Sequence, residues 1–264
     1  CPLLYKGHKH DLSYRVFLKK QKLYKKANIT FVACSRWLEG LAKHSVLALG
    51  HTVTNIPNPI NTNLFRPLNK IQVRNSLNLP TDKKLLLFSS MKITDPKKGI
   101  DYLVEACKLI QQQHPDFCSS LAVVVVGKES QQYADLFPFP IYCLNYVGNE
   151  KELVNIYNAV DLFVTPSLQE NLPNTIVEAM SCGVPCVGFN IGGIPQMIDH
   201  LHNGYVAQYK SSEDLANGIC WSLNEGDYAS LSEEARRKAV ETYSEQNVAM
   251  KYIKIYNHIT GENA

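Results

Sequence analysis

From Lys83 onward, short continuous apolar runs alternate with segments that have the spacing of amphipathic helices. The apolar runs are LLLFSS, AVVVVG, IYCLNYV, DLFVT and PCVGF, and the segments between them predict helices over 99–113, a short stretch after Gly127, 149–158 and 175–181. Continuous apolar strands separated by helices predict a parallel sheet covered on both faces, the doubly wound (Rossmann-like) α/β fold. Ligands of such sheets bind beyond the carboxyl ends of the strands, so we expect the functional site there.

The residues before Lys83 predict only part of another α/β unit. Helices are expected over 14–26 and 37–49, and strands over 29–33 and 52–56. The stretch PNPINTNLFRP follows, and its three prolines and three asparagines favour an interdomain connection over a helix interior. After Gly204, helical spacing dominates to the end. We therefore predict a remnant of an N-terminal domain with its linker over 1–66, a Rossmann-like domain over 67–240, and a C-terminal helix over 241–264 that packs back toward the N-terminal part.

The chain opens with Cys1 and a loop-like stretch, CPLLYKGHKHD, before any complete domain has been built. We therefore expect a piece of a longer protein, whose preceding part would carry half of the active site. In that case His8, His10 and Asp11 would approach an acceptor if the preceding part folds over them. The alternative is that these three are ordinary loop residues.

Composition places the chain among ordinary globular proteins, with 45% hydrophobic and 19% charged residues. The longest apolar run, Leu121 to Val126, is far shorter than the roughly 20 residues that span a bilayer. We therefore expect a soluble, cytoplasmic protein. The eight cysteines are scattered, form no C-x-x-C pair and mostly lie in apolar stretches, which predicts reduced thiols rather than disulfides or a zinc site.

Charge is unevenly distributed along the chain. Residues 1–98 contain 18 Lys and Arg against 4 Asp and Glu, whereas residues 99–264 contain 9 against 20. A basic half suggests an anionic partner, and the basic, aromatic helix predicted over 14–26 could lie on an anionic membrane. The alternative is an ordinary helix with a solvated basic face. Nucleic acid is not expected as a partner, because no recognised binding motif accompanies the charge.

The segment from Glu170 to Glu178 follows a predicted strand and enters the next predicted helix. Asn174 is the expected N-cap of that helix and Gly183 its expected end. A helix N-terminus at the carboxyl end of a parallel strand offers unpaired N–H groups and a positive dipole end to a diphosphate. Carboxylates at the same place suit neighbouring sugar or ribose hydroxyls, which donate hydrogen bonds to them. The alternative is that Glu170 is a solvated loop residue and Glu178 only favours the helix dipole.

The stretch ENLPNTIVEAMSCGVP resembles the Glu-x7-Glu segment of glycosyltransferase family 4, retaining enzymes of GT-B fold that transfer a sugar from a nucleotide donor. The stretches KKGIDYLVEAC, NYVGNEKELVNIYNAVDLFVTPS and GGIPQMI match other family motifs, so the resemblance covers residues 29–210. It implies that Glu170 contacts the donor sugar and Glu178 holds the ribose hydroxyls. The implied donor-binding segment between them consists of Asn171, Leu172, Pro173, Asn174 and Thr175. Asn171 and Leu172 depart from the family's usual Gly-Phe.

The family also carries a basic pair, usually Arg then Lys, that neutralises the leaving diphosphate. Lys98, directly before Gly99, matches the second member, and Lys92 is the candidate for the first, although MKITDPKKG is longer than the usual spacing. The alternative for Lys92, Lys97 and Lys98 is that they are solvated surface residues. The sequence has no D-x-D motif, so we expect no metal and no other cofactor, with lysines meeting the charge of the diphosphate.

The resemblance places the nucleotide base near Val147 and Gly148. Tyr146 is either a stacking platform for that base or a buried strand aromatic. Gly192 and Gly193 are expected to form a tight turn near the donor, with Gly193 in contact with it. Gln196 stands where the family usually has Glu, so a hydrogen bond to a sugar hydroxyl survives there and an ionic contact does not.

Together these features predict a retaining hexosyltransferase that uses a UDP- or GDP-sugar. Its expected acceptor is a glycan or lipid-linked molecule in cell-surface polysaccharide or lipopolysaccharide biosynthesis. The catalytic residues are expected to be Glu170, Lys98 and Lys92. The alternative is a non-catalytic module that binds a nucleotide sugar and lacks a complete acceptor domain.

Overall fold

The computed structural model describes residues 7, 8 and 10–261. Most of the predicted opening loop therefore lies outside the described residues, as does Cys1. The strands are β1 (Thr30–Ala33), β2 (Thr52–Asn55), β3 (Lys84–Lys92), β4 (Leu121–Lys128), β5 (Ile141–Leu144), β6 (Leu162–Thr165), β7 (Cys186–Phe189) and β8 (Gly204–Ala207). The helices are α1 (Leu12–Tyr24), α2 (Arg36–Lys43), α3 (Lys70–Ser76), α4 (Ile100–Gln113), α5 (Pro115–Cys118), α6 (Glu150–Ala159), α7 (Asn174–Ser181), α8 (Ile194–Met197), α9 (Ser212–Cys220), α10 (Tyr228–Tyr243) and α11 (Glu245–Thr260).

The chain folds into two compact units, one ending at Ile56 and the other beginning at Pro57. In the first unit, β1 and β2 form a parallel pair in which Thr30 lies opposite Thr52. Helix α1 has no buried residue. Helix α2 ends at Lys43, six residues before the predicted end, and turns follow to Gly50.

The second unit is built on a six-stranded parallel sheet with the order β5-β4-β3-β6-β7-β8. Counted within this unit, the order is 3-2-1-4-5-6, that of the doubly wound nucleotide-binding fold. The predicted fold class is confirmed. The chain crosses from one half of the sheet to the other between β3 and β6, so the carboxyl ends of these two neighbours form the topological switch point, where ligands of this fold bind.

The inner strands β3, β4, β6 and β7 bury both faces. Leu85 and Leu87 of β3 pack into one apolar cluster, while Leu86 and Phe88 pack into the cluster on the opposite face. Successive side chains of a strand point to opposite faces, so a continuous apolar run fits only a strand that is covered on both sides. This is the physical basis of the pattern seen in the sequence.

Strand β8 and helix α3 of the second unit were not predicted, and neither were the four-residue helices α5 and α8. Strand β8 lies in the region expected to be helical, and it pairs in parallel with β7 at the edge of the sheet. Helix α3 follows the predicted connection and begins after Asn69, whose side chain accepts the N–H of Gln72. Strand β8 and helix α3 are short, four and seven residues, and their apolar spacing is too brief to distinguish strand from helix.

The stretch 57–67 is irregular, as predicted, and it is anchored to the second unit. Phe65 is buried, and the Arg236 guanidinium donates hydrogen bonds to the carbonyls of Thr62, Phe65 and Ser181. No helix within the described residues is long and apolar enough to cross a membrane. The described cysteines, Cys34, Cys107, Cys118, Cys143, Cys182, Cys186 and Cys220, are all free thiols.

Candidate functional site

A cavity of about 470 Å³ opens at the switch point of the sheet. Its walls come from the carboxyl ends of β3 and β6, from the turn before α4, from the start of α7 and from the connection after Ile56. The lining residues are Asn58, Phe88, Ser89, Ser90, Met91, Lys98, Thr165, Ser167, Glu170, Leu172, Pro173, Asn174 and Thr175. Six of the predicted site residues are therefore brought together in one cavity: Glu170, Lys98, Leu172, Pro173, Asn174 and Thr175.

Lys98 and Glu170 form an ion pair in this cavity, with Nζ of Lys98 2.5 Å from Oε1 of Glu170. The Glu170 side chain is 14% exposed and that of Lys98 is 35% exposed. An ion pair that is partly shielded from water interacts more strongly than a surface pair and is less screened by salt. The two residues therefore present one carboxylate and one ammonium group side by side at the cavity wall.

The close approach of two chain segments sets the position of Lys98. Gly99 has a φ of +70°, and a Cβ there would lie 2.0 Å from the carbonyl oxygen of Pro166. The N–H of Leu168 donates to the carbonyl of Lys97 at 2.8 Å. Glycine is required at position 99 by both the left-handed backbone and the lack of space. This contact places Lys98 against the segment that carries Glu170.

The Gly192-Gly193 turn supports the same segment from the other side. A Cβ at Gly192 would lie 1.8 Å from the carbonyl oxygen of Glu170, and one at Gly193 would lie 2.1 Å from that of Asn171. The N–H of Gly193 donates to the Asn171 carbonyl at 2.7 Å. The turn expected near the donor thus lies directly behind the backbone of Glu170 and Asn171.

Helix α7 points its N-terminus at the cavity, but its N-cap differs from the prediction. Pro173 is the N-cap, without a side-chain hydrogen bond, and Asn174 is the first helical residue. The Asn174 carboxamide instead accepts a hydrogen bond from the side chain of Asn58 at 3.5 Å. The first N–H groups of the helix are therefore left without a capping side chain at the cavity. The predicted end of the helix is confirmed, since Gly183 has a φ of +76° directly after the C-cap.

Glu178 lies one turn further along α7, behind the cavity wall. The Tyr157 hydroxyl on α6 donates a hydrogen bond to Oε2 of Glu178 at 2.7 Å. Burial raises the pKa of the Glu178 carboxyl above its ordinary value, the bond from Tyr157 lowers it, and nearby Glu150 raises it. Burial also raises the pKa of Tyr157 well above its ordinary value, so its hydroxyl remains a donor at neutral pH.

Lys92 lies outside the residues that line the cavity. Its ammonium group is 3.5 Å from Oε1 of Glu129, and its side chain is 59% exposed. The hydroxyl of Thr94 also hydrogen-bonds Glu129, and this bond, with the charge of Lys92, lowers the pKa of the Glu129 carboxyl. The structure therefore does not bring Lys92 to Glu170 as it does Lys98.

Val147 and Gly148 lie in the loop between β5 and α6. Tyr146 in the same loop is 47% exposed, so the interpretation as a buried strand aromatic is wrong. The strand ends two residues earlier, at Leu144, which leaves the Tyr146 ring in solvent beneath the ammonium group of Lys128, 5.8 Å from the ring centroid. The Tyr146 side chain is therefore about half exposed.

Sequence reasoning missed seven residues of the cavity wall. Asn58 lies in the connection and carries no signal of its own. The other six lie at or close to strand ends, where the rule used for Glu170 would have found them: Phe88, Ser89, Ser90, Met91, Thr165 and Ser167. No group of three or more His, Cys, Asp or Glu side chains arranged to hold a metal ion is found in the part of the chain that the structure describes.

In comparisons with known proteins, the chain is similar to glycosyltransferases. Residues 82–225 match the family model described as "Glycosyl transferases group 1". The chain is 29% identical over 199 residues to a D-inositol 3-phosphate glycosyltransferase of Thermobispora bispora, covering 71% of this chain and 46% of the relative. It is 26% identical over 263 residues to the amylovoran biosynthesis glycosyltransferase AmsK of Erwinia amylovora, covering 93% of this chain and 61% of the relative.

Among solved structures, the crystal structure of HepE from Anabaena in complex with UDP superposes with a TM-score of 0.76 at 19% identity. The match covers 96% of this chain and 70% of that one. The likeness supports the GT-B assignment of the fold. The chain spans about half the length of the curated relatives that it matches.

Proposed function

Because the chain belongs to the family of group 1 glycosyl transferases, we propose that it binds a nucleotide sugar at the switch-point cavity and transfers the sugar with retention of configuration. The donor is a UDP- or GDP-hexose, and the acceptor is a glycan or lipid-linked molecule. The observation that carries the proposal is the ion pair between Lys98 and Glu170 beside the N-terminus of α7.

The diphosphate of the donor lies between the start of α7 and Lys98. The uncapped N–H groups of the first helical turn and the positive end of the helix dipole favour a negative charge there. Lys98 adds a full positive charge that remains through the reaction, in which negative charge develops on the leaving diphosphate. Such preorganised charge stabilisation lowers the barrier of a transfer step. Lys92 is the second cation of this proposal, and it would first have to leave Glu129.

The donor sugar lies against Glu170. The carboxylate accepts hydrogen bonds from sugar hydroxyls, and the Asn171 and Leu172 backbone, held by the Gly192-Gly193 turn, closes one side of the sugar site. In the proposed reaction the acceptor attacks from the same face as the departing diphosphate, without a covalent enzyme intermediate. Glu170 then orients and stabilises the sugar rather than attacking it.

The nucleoside part of the donor continues toward α6. Glu178 accepts hydrogen bonds from the two ribose hydroxyls, and the base lies over the loop of Val147 and Gly148. The exposed ring of Tyr146 supplies a surface on which the base stacks. Because the similar Anabaena protein was crystallised with UDP, UDP-sugars are the first donors to test.

The acceptor side of the proposal rests on composition and on the relatives. One similar protein is named an amylovoran biosynthesis glycosyltransferase. For this chain we propose a role in cell-surface polysaccharide or lipopolysaccharide biosynthesis, carried out in the cytoplasm. Helix α1 has no buried residue and carries four basic side chains, Arg15, Lys19, Lys20 and Lys22, which would suit an anionic membrane surface where lipid-linked acceptors lie. Salt-sensitive flotation with phosphatidylglycerol vesicles, and none with phosphatidylcholine vesicles, is the expected result. Flotation with neither would refute the membrane contact.

A second candidate function is nucleotide-sugar binding without transfer. It fits the same cavity, because binding of a donor at Lys98 and the start of α7 does not by itself require transfer. Turnover distinguishes the two functions. If the chain or a longer form of it transfers sugar or hydrolyses the donor, and Glu170→Ala abolishes that activity, the transferase function is supported. Donor binding without transfer or hydrolysis supports the binding function.

The direct test of donor binding is a thermal-shift panel of UDP-, GDP- and ADP-sugars, each with and without magnesium. A ligand that binds only the folded state raises the melting temperature in proportion to the logarithm of its concentration over Kd. We expect one nucleotide class to stabilise the protein without magnesium. If no nucleotide sugar raises the melting temperature, the proposed function is wrong.

A further inference from the structure

Tyr157 is a fully buried tyrosine whose hydroxyl contacts Glu178, a predicted donor-binding residue. It lies on α6, it is 1% exposed, and its hydroxyl donates a hydrogen bond to the carboxylate of Glu178 at 2.7 Å. A tyrosine buried only for packing needs no hydroxyl, and an unmatched hydroxyl would carry a desolvation cost. The hydroxyl is therefore explained by Glu178.

Two aromatic rings hold the Tyr157 ring in place. The Phe65 ring is tilted against it with centroids 6.4 Å apart, and the Phe163 ring meets it edge to face at 6.1 Å. Edge-to-face and tilted packing at these separations is favourable and restricts rotation of the ring. The hydroxyl thus has one fixed position, which is 2.7 Å from Oε2 of Glu178.

A fixed donor on one carboxylate oxygen selects one orientation of the carboxylate. Oε2 of Glu178 is engaged by Tyr157, and within the described residues this is the one side-chain hydrogen bond that Glu178 makes. Oε1 then keeps its full accepting capacity for hydroxyls of a ligand. Without the Tyr157 hydroxyl the carboxylate would rotate freely about its last torsion, which is broad for glutamate.

We propose that Tyr157 is a positioning residue for nucleotide-sugar binding, which holds Glu178 so that the carboxylate distinguishes a ribose from a deoxyribose. The inference rests on the proposed function, in which Glu178 receives the ribose hydroxyls. Tyr157 itself does not touch the ligand. It acts on the donor only through the orientation and the charge of Glu178.

The test compares two tyrosine-to-phenylalanine substitutions. Tyr157→Phe removes the hydrogen bond to Glu178. The control, Tyr205→Phe, removes a hydrogen bond of nearly the same length, 2.8 Å, from Tyr205 on the outer strand β8 to Asp214 on α9. Each variant is titrated calorimetrically with the tightest-binding ribonucleotide sugar and with its 2′-deoxyribose analogue. The measured quantity is the dissociation constant of the deoxyribose analogue divided by that of the ribonucleotide sugar.

We expect Tyr157→Phe to reduce this ratio by a factor between about 2 and 12, the range set by one hydrogen bond of ordinary net strength. Tyr205→Phe should leave the ratio at the wild-type value. In a Glu178→Ala background, which removes the acceptor of the Tyr157 hydroxyl, the Tyr157→Phe substitution should change the ratio no further, because the two residues act through one interaction.

Two results would overturn the inference, and they differ from a failure of the proposed function. An unchanged ratio in Tyr157→Phe, with a melting temperature lowered as in Tyr205→Phe, would show a structural role only. An additive effect in the Glu178→Ala background would show that Tyr157 acts by another route. If the wild-type protein binds no nucleotide sugar, it is the proposed function that fails.

Discussion

The ammonium group of Lys98 and the carboxylate of Glu170, 72 positions apart in sequence, lie 2.5 Å apart. The pair exists because β3 and β6 are neighbours in the sheet and both chains turn away at their carboxyl ends. The Gly99 and Pro166 backbones meet there. Lys98 directly precedes Gly99, and Glu170 follows Pro166 by four residues. In the proposed reaction the same ammonium group also faces the diphosphate, so the ion pair aligns Lys98 before the donor arrives.

Replacing Lys98 by Met should weaken diphosphate binding selectively. A charge-assisted contact contributes about 1.5–3 kcal/mol, so affinity for UDP should fall by roughly 10- to 100-fold, while affinity for uridine should not change. The matched control is Lys97→Met, since Lys97 is exposed and lies outside the cavity lining. Calorimetric titration of both variants with UDP and uridine measures the difference. An equal loss for UDP and uridine would show that Lys98 only supports the fold.

Glu170→Gln should reduce transfer more than binding. The amide keeps the size of the side chain and its capacity to accept a hydrogen bond but loses the charge beside the reacting sugar. Removal of one preorganised group that stabilises a transition state typically costs about 10²–10³ in kcat. The control is Gln169→Ala, which changes the exposed residue directly before Glu170. Steady-state rates together with the dissociation constant for UDP separate the two effects, and a large loss of UDP affinity with unchanged kcat would contradict the assigned role.

The sequence predicted those site residues whose position follows from the ends of the strands. Lys98, Glu170 and the start of α7 follow apolar runs, and parallel strands bring their carboxyl ends to one edge. Tyr157 could not be predicted in this way, because a tyrosine inside an amphipathic helix carries no signal that separates a hydrogen-bonded hydroxyl from ordinary packing. The sequence could not decide between the two interpretations of Tyr146 for a related reason. Its exposure depends on where β5 ends, and the ends of elements are the least defined feature of a sequence pattern.

Gly193→Ala should lower both stability and donor affinity. The new Cβ would lie 2.1 Å from the Asn171 carbonyl oxygen, so the backbone next to Glu170 has to move. Overpacking of this kind typically costs about 1–3 kcal/mol. A matched control is Gly204→Ala, whose Cβ would lie at the same 2.1 Å from the carbonyl oxygen of Cys186 at the start of β8.

Both glycine variants should melt at lower temperature than the wild type. When binding is measured well below both melting temperatures, only Gly193→Ala should bind the donor more weakly. Equal donor affinity in the two variants would argue that the Gly192-Gly193 turn does not position the sugar site.

Arg74→Met should destabilise the fold without changing donor binding. Arg74 is 4% exposed, and its guanidinium contacts Asp161 at 2.5 Å and the carbonyls of Ala159 and Lys83. Asp161 precedes β6, at the edge of the sheet opposite the cavity. Asp161 keeps its second ion pair, with Lys70 at 2.6 Å, so the loss of Arg74 should cost less than the about 3–5 kcal/mol of leaving a buried charge with no partner.

The matched control for Arg74→Met is Arg237→Met, which breaks exposed ion pairs with Glu234 and Glu241. Exposed pairs contribute little to stability, so this variant should unfold at nearly the wild-type urea concentration. Urea unfolding curves measure the difference, and a similar shift in both variants would refute the structural role of the Arg74 network.

Donor affinity should fall as the pH decreases through the raised pKa of Glu178. The pKa of this carboxyl lies above its ordinary value because of burial, and the groups that face it are Tyr157 and Glu150 from α6 and Cys182 from the end of its own helix. Only the ionised carboxylate accepts hydrogen bonds from both ribose hydroxyls, so the affinity is fully present above this pKa and lost below it. A nucleotide sugar is the proper probe, since its diphosphate diester does not titrate in this range.

Tyr157→Phe should raise the pH at which donor affinity is lost. The Tyr157 hydrogen bond lowers the pKa of Glu178, so its removal raises the pKa further and affinity is lost at a higher pH than in the wild type. Glu178→Gln should bind the donor more weakly, with an affinity that does not change with pH over this range. Tyr205→Phe should show the same pH dependence as the wild type. Titrations between pH 4 and pH 8 compare the four proteins. A Tyr157→Phe transition at lower pH than wild type would contradict the hydrogen bond's assigned effect, because the loss of a donor cannot stabilise the ionised carboxylate.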